Sequence, residues 1–265
     1  MPKENTLKEP DLAQLSEKFD LLIKKSDDLF YLQKLYLLRP AFVLEFIYQD
    51  IEIQMYLPDA ERDFIQKHIL RTNSFYETIL LQKLENLNCI DSNSVVFDIG
   101  ANIGNHSVFF SKVLNAKSIV SFEPQKRCYK ILNRNIALNK VSNATTVNSL
   151  VGSQTGSGKI SIYGAKNFGA TSFEPSDSGH FNMISLDAYV DSADEGKIDF
   201  LKIDVEGMQI QLFEGAKGVL TDYRPIIWVE LRTIKNEFEE AAAYLSNYGY
   251  KPQKLGFNDY LFFPE

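Results

Sequence analysis

Residues 95–107 read VVFDIGANIGNHS, and this stretch decides the fold. Val95 to Phe97 form a near-continuous apolar run that suits a strand covered on both faces, and Asp98 follows where such a strand leaves its sheet. Gly100 and Gly104 let the chain turn tightly and allow close approach to the backbone. Val108, Phe109, Val113 and Leu114 then supply the apolar stripe of a helix. A dinucleotide fingerprint, G-x-G-x-x-G, would place a glycine where Asn102 stands, and the G-K-[ST] ending of a P-loop is missing. The turn therefore lacks the grips for a pyrophosphate or a triphosphate and better suits a nucleoside without phosphate.

The next strand-like run, SIVSFEP at 118–124, ends in Glu123, about 20 residues beyond the glycine turn, where an acid can accept both hydroxyls of a ribose. S-adenosylmethionine (SAM) matches this set. It offers a ribose diol to Glu123, carries a sulfonium and an ammonium that favour nearby carboxylates such as Asp98, and has no phosphate. The alternative is that Glu123 merely opens a helix together with Pro124.

FLKIDVEGMQIQLFEGA, residues 200–216, repeats the layout: a buried strand, acids at its carboxyl end, a glycine and an amphipathic helix. Ligands of open α/β sheets bind at the carboxyl ends of strands, which brings Asp204 and Glu206 towards Asp98 and Glu123. Four crowded carboxylates repel one another, and a cationic ligand relieves the repulsion. In methyl transfer to oxygen the acceptor hydroxyl loses a proton, so a carboxylate within reach can act as general base; Asp204 is the first choice and Glu206 the second. Alternatively the pair holds a divalent ion such as magnesium, or caps the following helix. Glu230 ends the strand-like PIIWVEL at the same rim, with Arg232 beyond it. His106, in the first helical turn after the glycine loop, either assists proton transfer or is a hydrogen-bonded structural histidine. Asn102 and Asn105, with exposed backbone N–H groups, suit the methionine carboxylate.

The 265 residues are 45% hydrophobic, enough for one main domain with an extension. A net charge of −7 without a basic block excludes nucleic acid as the main partner and favours a small-molecule or carbohydrate substrate. Cys89 and Cys128 form no metal or disulfide pattern. The polar start MPKENTLKEPDL has no signal-peptide core, so a cytoplasmic protein is expected. Leu29 to Tyr48 is rich in Leu, Phe and Tyr, but Lys34, Arg39, Pro40 and Glu45 exclude a transmembrane helix. Its cover is the main domain or a second copy in a homo-oligomer, with a membrane surface as the other choice.

Helical spacing in 11–38 predicts two helices, EFIYQDIEIQMYLP predicts a hairpin around Gln49 and Asp50, and residues 59–88 return to helical spacing. From Ser94 strands and helices alternate, which predicts a parallel sheet with helices on both faces. Strands are expected at 94–99, 118–123, 144–151, 198–204, 225–231, 250–255 and 260–263. Only four residues separate the last two, so they form a hairpin and the final strand is antiparallel. GKISIYGA looks like a hairpin addition. Residues 165–182 show no periodicity and read as a lid or binding loop anchored by Phe168, Phe173, His180 and Phe181.

DIGANIGNHS, FEP at 122–124, SLDAYV at 185–190, KIDVEG at 202–207 and WVEL at 228–231 resemble the FkbM family of SAM-dependent methyltransferases, from Phe75 to the C-terminus. The resemblance implies a Rossmann-like class I methyltransferase fold: a mostly parallel seven-stranded sheet with an antiparallel C-terminal hairpin strand. It implies O-methylation of a small-molecule, sugar or glycan-precursor hydroxyl. The expected cofactor positions are Asp98, Gly100, Ala101, Asn102, Gly104, Asn105, Glu123, Pro124 and Asp204, and the expected catalytic ones Asp204, Glu206, His106 and Glu230. The expected division is an accessory, mainly helical segment, 1–70, and a methyltransferase domain, 71–265. The rivals are a nucleotide-dependent oxidoreductase and a non-catalytic scaffold.

Overall fold

The computed structural model describes residues 12–193, 196–232 and 236–265; the polar opening residues 1–11 lie outside them. A single helix α1 (Leu12–Leu38) stands where two were expected. No glycine or proline interrupts residues 12–38, and KKSDD at 24–28 is polar but tolerates helix, so nothing breaks it. Tyr31, Leu35 and Leu38 are buried, whereas Leu29, Phe30, Leu32, Tyr36 and Leu37 remain exposed. No helix among the described residues is long and apolar enough to cross a membrane.

The expected hairpin is present as β1 (Val43–Tyr48) and β2 (Ile51–Tyr56). Gln49 and Asp50 both take positive φ, 47° and 65°, the backbone sense that matches strand twist in a two-residue hairpin. Helices α2 (Phe64–Thr72) and α3 (Thr78–Leu87) follow. Edge-on contacts join Phe75 to Phe46, Tyr48 and Phe109 at ring-centroid distances of 5.4, 5.5 and 5.2 Å, fastening the hairpin to the main core.

The main sheet grows from β3 (Val95–Ile99), which leads through the glycine turn to α4 (Asn105–Lys112). Then come β4 (Ser118–Phe122), α5 (Lys126–Leu138) and β5 (Ala144–Val147). Asn135 and Asn139, one turn apart on α5, satisfy the edge of β2: their side-chain carbonyls accept the N–H groups of Tyr56 and Gln54 at 2.6 and 2.9 Å. The strand expected over 144–151 is split. Asn148 turns away to donate to the carbonyls of Glu123 and Pro124, and β6 (Leu150–Val151) leaves for a second sheet.

That second sheet also takes β7 (Gly156–Ile162), β8 (Ser172–Pro175) and β9 (Phe181–Ile184), in the order β6-β9-β7-β8. Much of 165–182 is thus strand or 3-10 turn rather than loop, because pairing with β7 satisfies its backbone. The chain returns through α6 (Leu186–Ala193), β10 (Phe200–Ile203), α7 (Gln209–Glu214), β11 (Ile226–Glu230), α8 (Glu237–Ser246), β12 (Tyr250–Lys254) and β13 (Asp259–Pro264).

The seven-stranded order is β12-β13-β11-β10-β3-β4-β5, with β13 antiparallel to both neighbours, as the C-terminal hairpin required. Alternate side chains of β3, β10 and β11 enter opposite cores: Val96, Phe200 and Trp228 on one face, Phe97, Leu201 and Ile227 on the other. The carboxyl ends of β3, β4 and β10 are therefore held side by side.

Asp63 ties the N-terminal part to the second sheet. One carboxylate oxygen caps α2 through the N–H of Gln66 at 3.0 Å, and the other accepts the N–H of Phe168 at 2.9 Å. Asp63→Ala removes both bonds and is expected to destabilise the protein by about 1–2 kcal/mol, read as a lower urea midpoint.

Candidate active site

The site begins with a backbone contact. Gly100 has φ +85°, and a Cβ there would fall inside the van der Waals radius of the Asp204 carbonyl oxygen. The close-approach glycine thus serves the neighbouring βα turn, whose Asp204 N–H donates to Ile99 O at 2.9 Å. Four donors of the glycine loop itself are also committed. Gly100 and Ala101 N–H groups go to Phe122 O at 3.0 and 2.9 Å, and that of Gly104 to Ala101 O at 2.7 Å. The Asn102 N–H goes to Glu123 Oε2 at 2.9 Å.

Glu123 leaves the end of β4 and is 3% exposed. Its second oxygen accepts the N–H of Gln125 at 2.7 Å. Burial pushes the carboxyl up to about 8, with the charges of Asp204 and Asp98 adding to the rise and the two backbone N–H donors opposing it. Next to it, both polar atoms of the Asn102 side-chain amide are buried without a hydrogen-bond partner among the described residues. Asn102 takes φ +48°, a conformation its side chain tolerates better than most.

These groups line a cleft enclosing about 540 Å³ of space, open mouth included, between the ends of β3, β4 and β10. One wall is Ile99, Gly100, Asn102 and Asp204; another is Ser149, Leu150, Val151 and Met208. The segment between β7 and β9 forms the cover through Gly169, Thr171 and Phe173. Among the described residues no lysine, arginine or histidine lines it. The cover is fastened by Phe168, whose carbonyl accepts from Gln125 Nε2 at 2.8 Å. Its ring lies 5.5 and 5.9 Å from the guanidinium carbons of Arg62 and Arg127, both held by Asp59.

The expected acids are distributed unequally. Glu123 and Asp204 face the cleft, with Gly100, Asn102 and Pro124. Asp98 lies beneath it, fully buried, accepting the Ser107 hydroxyl at 2.5 Å. Ala101 and Gly104 are in the turn but not on the cleft wall. Asn105 instead clamps the Tyr76 backbone, accepting its N–H at 2.9 Å and donating to its carbonyl at 3.2 Å. Glu206 pairs with Arg232 at 2.7 Å. His106 is buried between Glu77, Nε2 to Oε2 3.1 Å, and Trp228, 5.3 Å between ring centroids. The charge and hydrogen bond of His106, with Lys202, outweigh burial and hold the Glu77 carboxyl below its ordinary value. Glu230, at the end of β11, is pushed up to about 8 by burial and then by Asp204, against the pull of Lys202.

The residue missed in the sequence is Lys202. It is 3% exposed, and its Nζ donates to Asp204 Oδ2 at 3.0 Å. Burial alone would lower its pKa, but Asp204, Glu77 and Asp98 raise it above the ordinary lysine value. The only signal was a lysine inside the otherwise apolar FLKI. Its presence corrects the expectation that only a bound cation relieves the acid crowding: Lys202 and Arg232 supply charge from within. It also removes the support for magnesium, since the two acids expected to hold it are bonded to these cations, and the described residues contain no metal-binding group of three.

The Methyltransferase FkbM domain description matches residues 98–252, more than half of the chain. The chain belongs to the FkbM methyltransferase family. Among similar proteins, Methyltransferase sdnD of Sordaria araneosa is 24% identical over 173 residues, covering 53% of this chain and 67% of that one. The hexuronic acid methyltransferase AglP of Haloferax volcanii is 26% identical over 139 residues, covering 52% and 56%. The crystal structure of an FkbM methyltransferase from Methylobacillus flagellatus superimposes with a TM-score of 0.54 at 14% identity, covering 77% of this chain and 56% of that one, which shows the shared fold. The FkbM-family chain thus spans 56–67% of the length of these relatives.

Because the Glu123 carboxyl is raised in the folded state, its contribution to stability is fully present below the unfolded value and is lost as pH rises through about 8. Glu123→Gln, which cannot ionise, is expected to gain stability relative to the wild type as pH rises from the ordinary carboxylate range to about 8 and to keep a constant margin above it, read from urea midpoints across the pH range.

Proposed function

We propose that this FkbM-family chain is a SAM-dependent O-methyltransferase whose acceptor is a hydroxyl of a small molecule, sugar or glycan precursor. The observation that carries the reading is the cleft itself. Glu123 and Asp204, two acidic residues at the ends of β4 and β10, line one space that no basic residue lines among the described residues. A sulfonium nucleoside fits that set better than a phosphate-bearing dinucleotide, since the N–H groups of Gly100, Ala101, Asn102 and Gly104 are already bonded. The orphaned Asn102 amide offers a donor and an acceptor to the amino-acid end of such a ligand. The oxidoreductase alternative has no comparable support.

Bound SAM supplies a methyl group on a positively charged sulfur that leaves as a neutral thioether. Glu123 accepts the two ribose hydroxyls, and its burial makes those hydrogen bonds strong. Asp204, at the cleft wall, takes the proton of the acceptor hydroxyl as that oxygen becomes bonded to carbon. Glu230 and His106, near Asp204 but off the cleft wall, belong to the acceptor side in this reading. Gly169, Thr171 and Phe173 exclude water above the cleft.

The sugar acceptor draws on the hexuronic acid methyltransferase among the relatives. The methyltransferase domain is taken as 71–265 and the accessory segment as 1–70. The reading takes the enzyme to be cytoplasmic and admits a homo-oligomer, for which the exposed apolar side of α1 is the support.

Calorimetry with SAM is expected to show binding and thermal stabilisation, and their absence at saturating ligand overturns the reading. With labelled SAM and cell extract, wild-type protein should yield a labelled product. Asp204→Asn should lower its rate about 100-fold or more while SAM affinity changes far less.

A further inference from the structure

Lysine is almost never fully buried unless paired. Lys202 nevertheless stands mid-strand in β10, where Phe200, Leu201 and Ile203 are also buried. A methionine would fill the same space without the cost of desolvating an ammonium. Parallel register sets Lys202 between Asp98 on β3 and Trp228 on β11, so the three side chains share one face of the sheet.

From there Nζ reaches Asp204 Oδ2 at 3.0 Å and lies 5.6 Å from the Trp228 ring centroid. The floor under it is fixed, because the indole N–H of Trp228 donates to Asp259 at 3.0 Å. The titratable groups around the pair are Asp98, Glu77 with its partner His106, Tyr76, Glu123, Glu230 and Asp259, with the Glu206–Arg232 pair beyond Glu230. Asp204 thus has one oxygen committed to a buried cation while the residue forms part of the cleft wall.

We infer that Lys202 is a positioning residue that acts through Asp204, fixing its carboxylate at the cleft wall and balancing its charge against that of a cationic ligand. This rests on the SAM reading above. The physical need follows from the reaction: positive charge on sulfur fades as the methyl group moves. A fully uncompensated carboxylate would favour the starting sulfonium over the transition state and slow transfer. The lysine tempers that attraction and leaves the carboxylate in place to accept a proton.

The test needs no acceptor. Calorimetry measures the affinities of SAM and of its neutral thioether product, S-adenosylhomocysteine, for wild type, K202M, D204N and the double variant, from about pH 6 to about pH 9. In the wild type the ratio of the two affinities should change with pH only as the Glu123 and Glu230 carboxyls ionise near 8. In K202M it should stand about tenfold above the wild-type ratio at each pH, because the Asp204 carboxylate then lacks its internal cation. The double variant should match D204N at every pH.

K202R, which keeps the charge, should keep the wild-type ratio, and K202Q replaces K202M if the latter does not fold. A ratio in the neutral variants equal to wild type at every pH overturns the inference, even if their urea midpoints fall, because a purely structural lysine would move only the midpoint. Failure of the wild type to bind either compound overturns the SAM reading instead.

Discussion

The contact between Gly100 and the carbonyl oxygen of Asp204 is the constraint on which the site depends. Two βα turns, one after β3 and one after β10, meet there with no room for a side chain. Their meeting sets Asp204 at the wall of the cleft that Glu123 also lines. The parallel register of β3 and β10 delivers the two turns at the same height, so the contact follows from the sheet and in turn shapes the pocket.

Charge is balanced from inside this frame. Asp204 meets Lys202, Glu206 meets Arg232, and Glu77 meets His106, whereas the buried Glu123 at the cleft is held by backbone N–H donors. The same low-dielectric surroundings that raise its pKa would strengthen a hydrogen bond to a ligand hydroxyl. One side of the cleft is therefore fixed by ion pairs and the other is kept free of them. That division suits a ligand that is polar at its ribose and positively charged elsewhere.

Residues distant in sequence complete the enclosure. Asp63 at the start of α2 holds Phe168, Asp59 gathers Arg62 and Arg127 around the same ring, and Gln125 binds its carbonyl. The N-terminal part thereby braces the cover of a cleft that it does not itself line. The hairpin contributes to the same end by burying Phe46 and Tyr48 against Phe75 and docking its edge on Asn135 and Asn139.

Much of this was legible in the chain alone. The apolar runs ending in Asp98, Glu123, Asp204 and Glu230 announced a parallel sheet and its functional edge, because strand burial and turn chemistry are local properties of consecutive residues. The four-residue link before β13 dictated an antiparallel finish, since a parallel partner needs a crossover. Only the folded chain decided which acids face the cleft, because side-chain direction at a strand end depends on what packs beneath. Ser107 holds Asp98 below and Arg232 holds Glu206 aside. Lys202 read as a lapse in an apolar strand until register set it between Asp98 and Trp228. Periodicity records which residues are buried together, but charge compensation is a property of neighbours in space, and those neighbours come from distant parts of the chain.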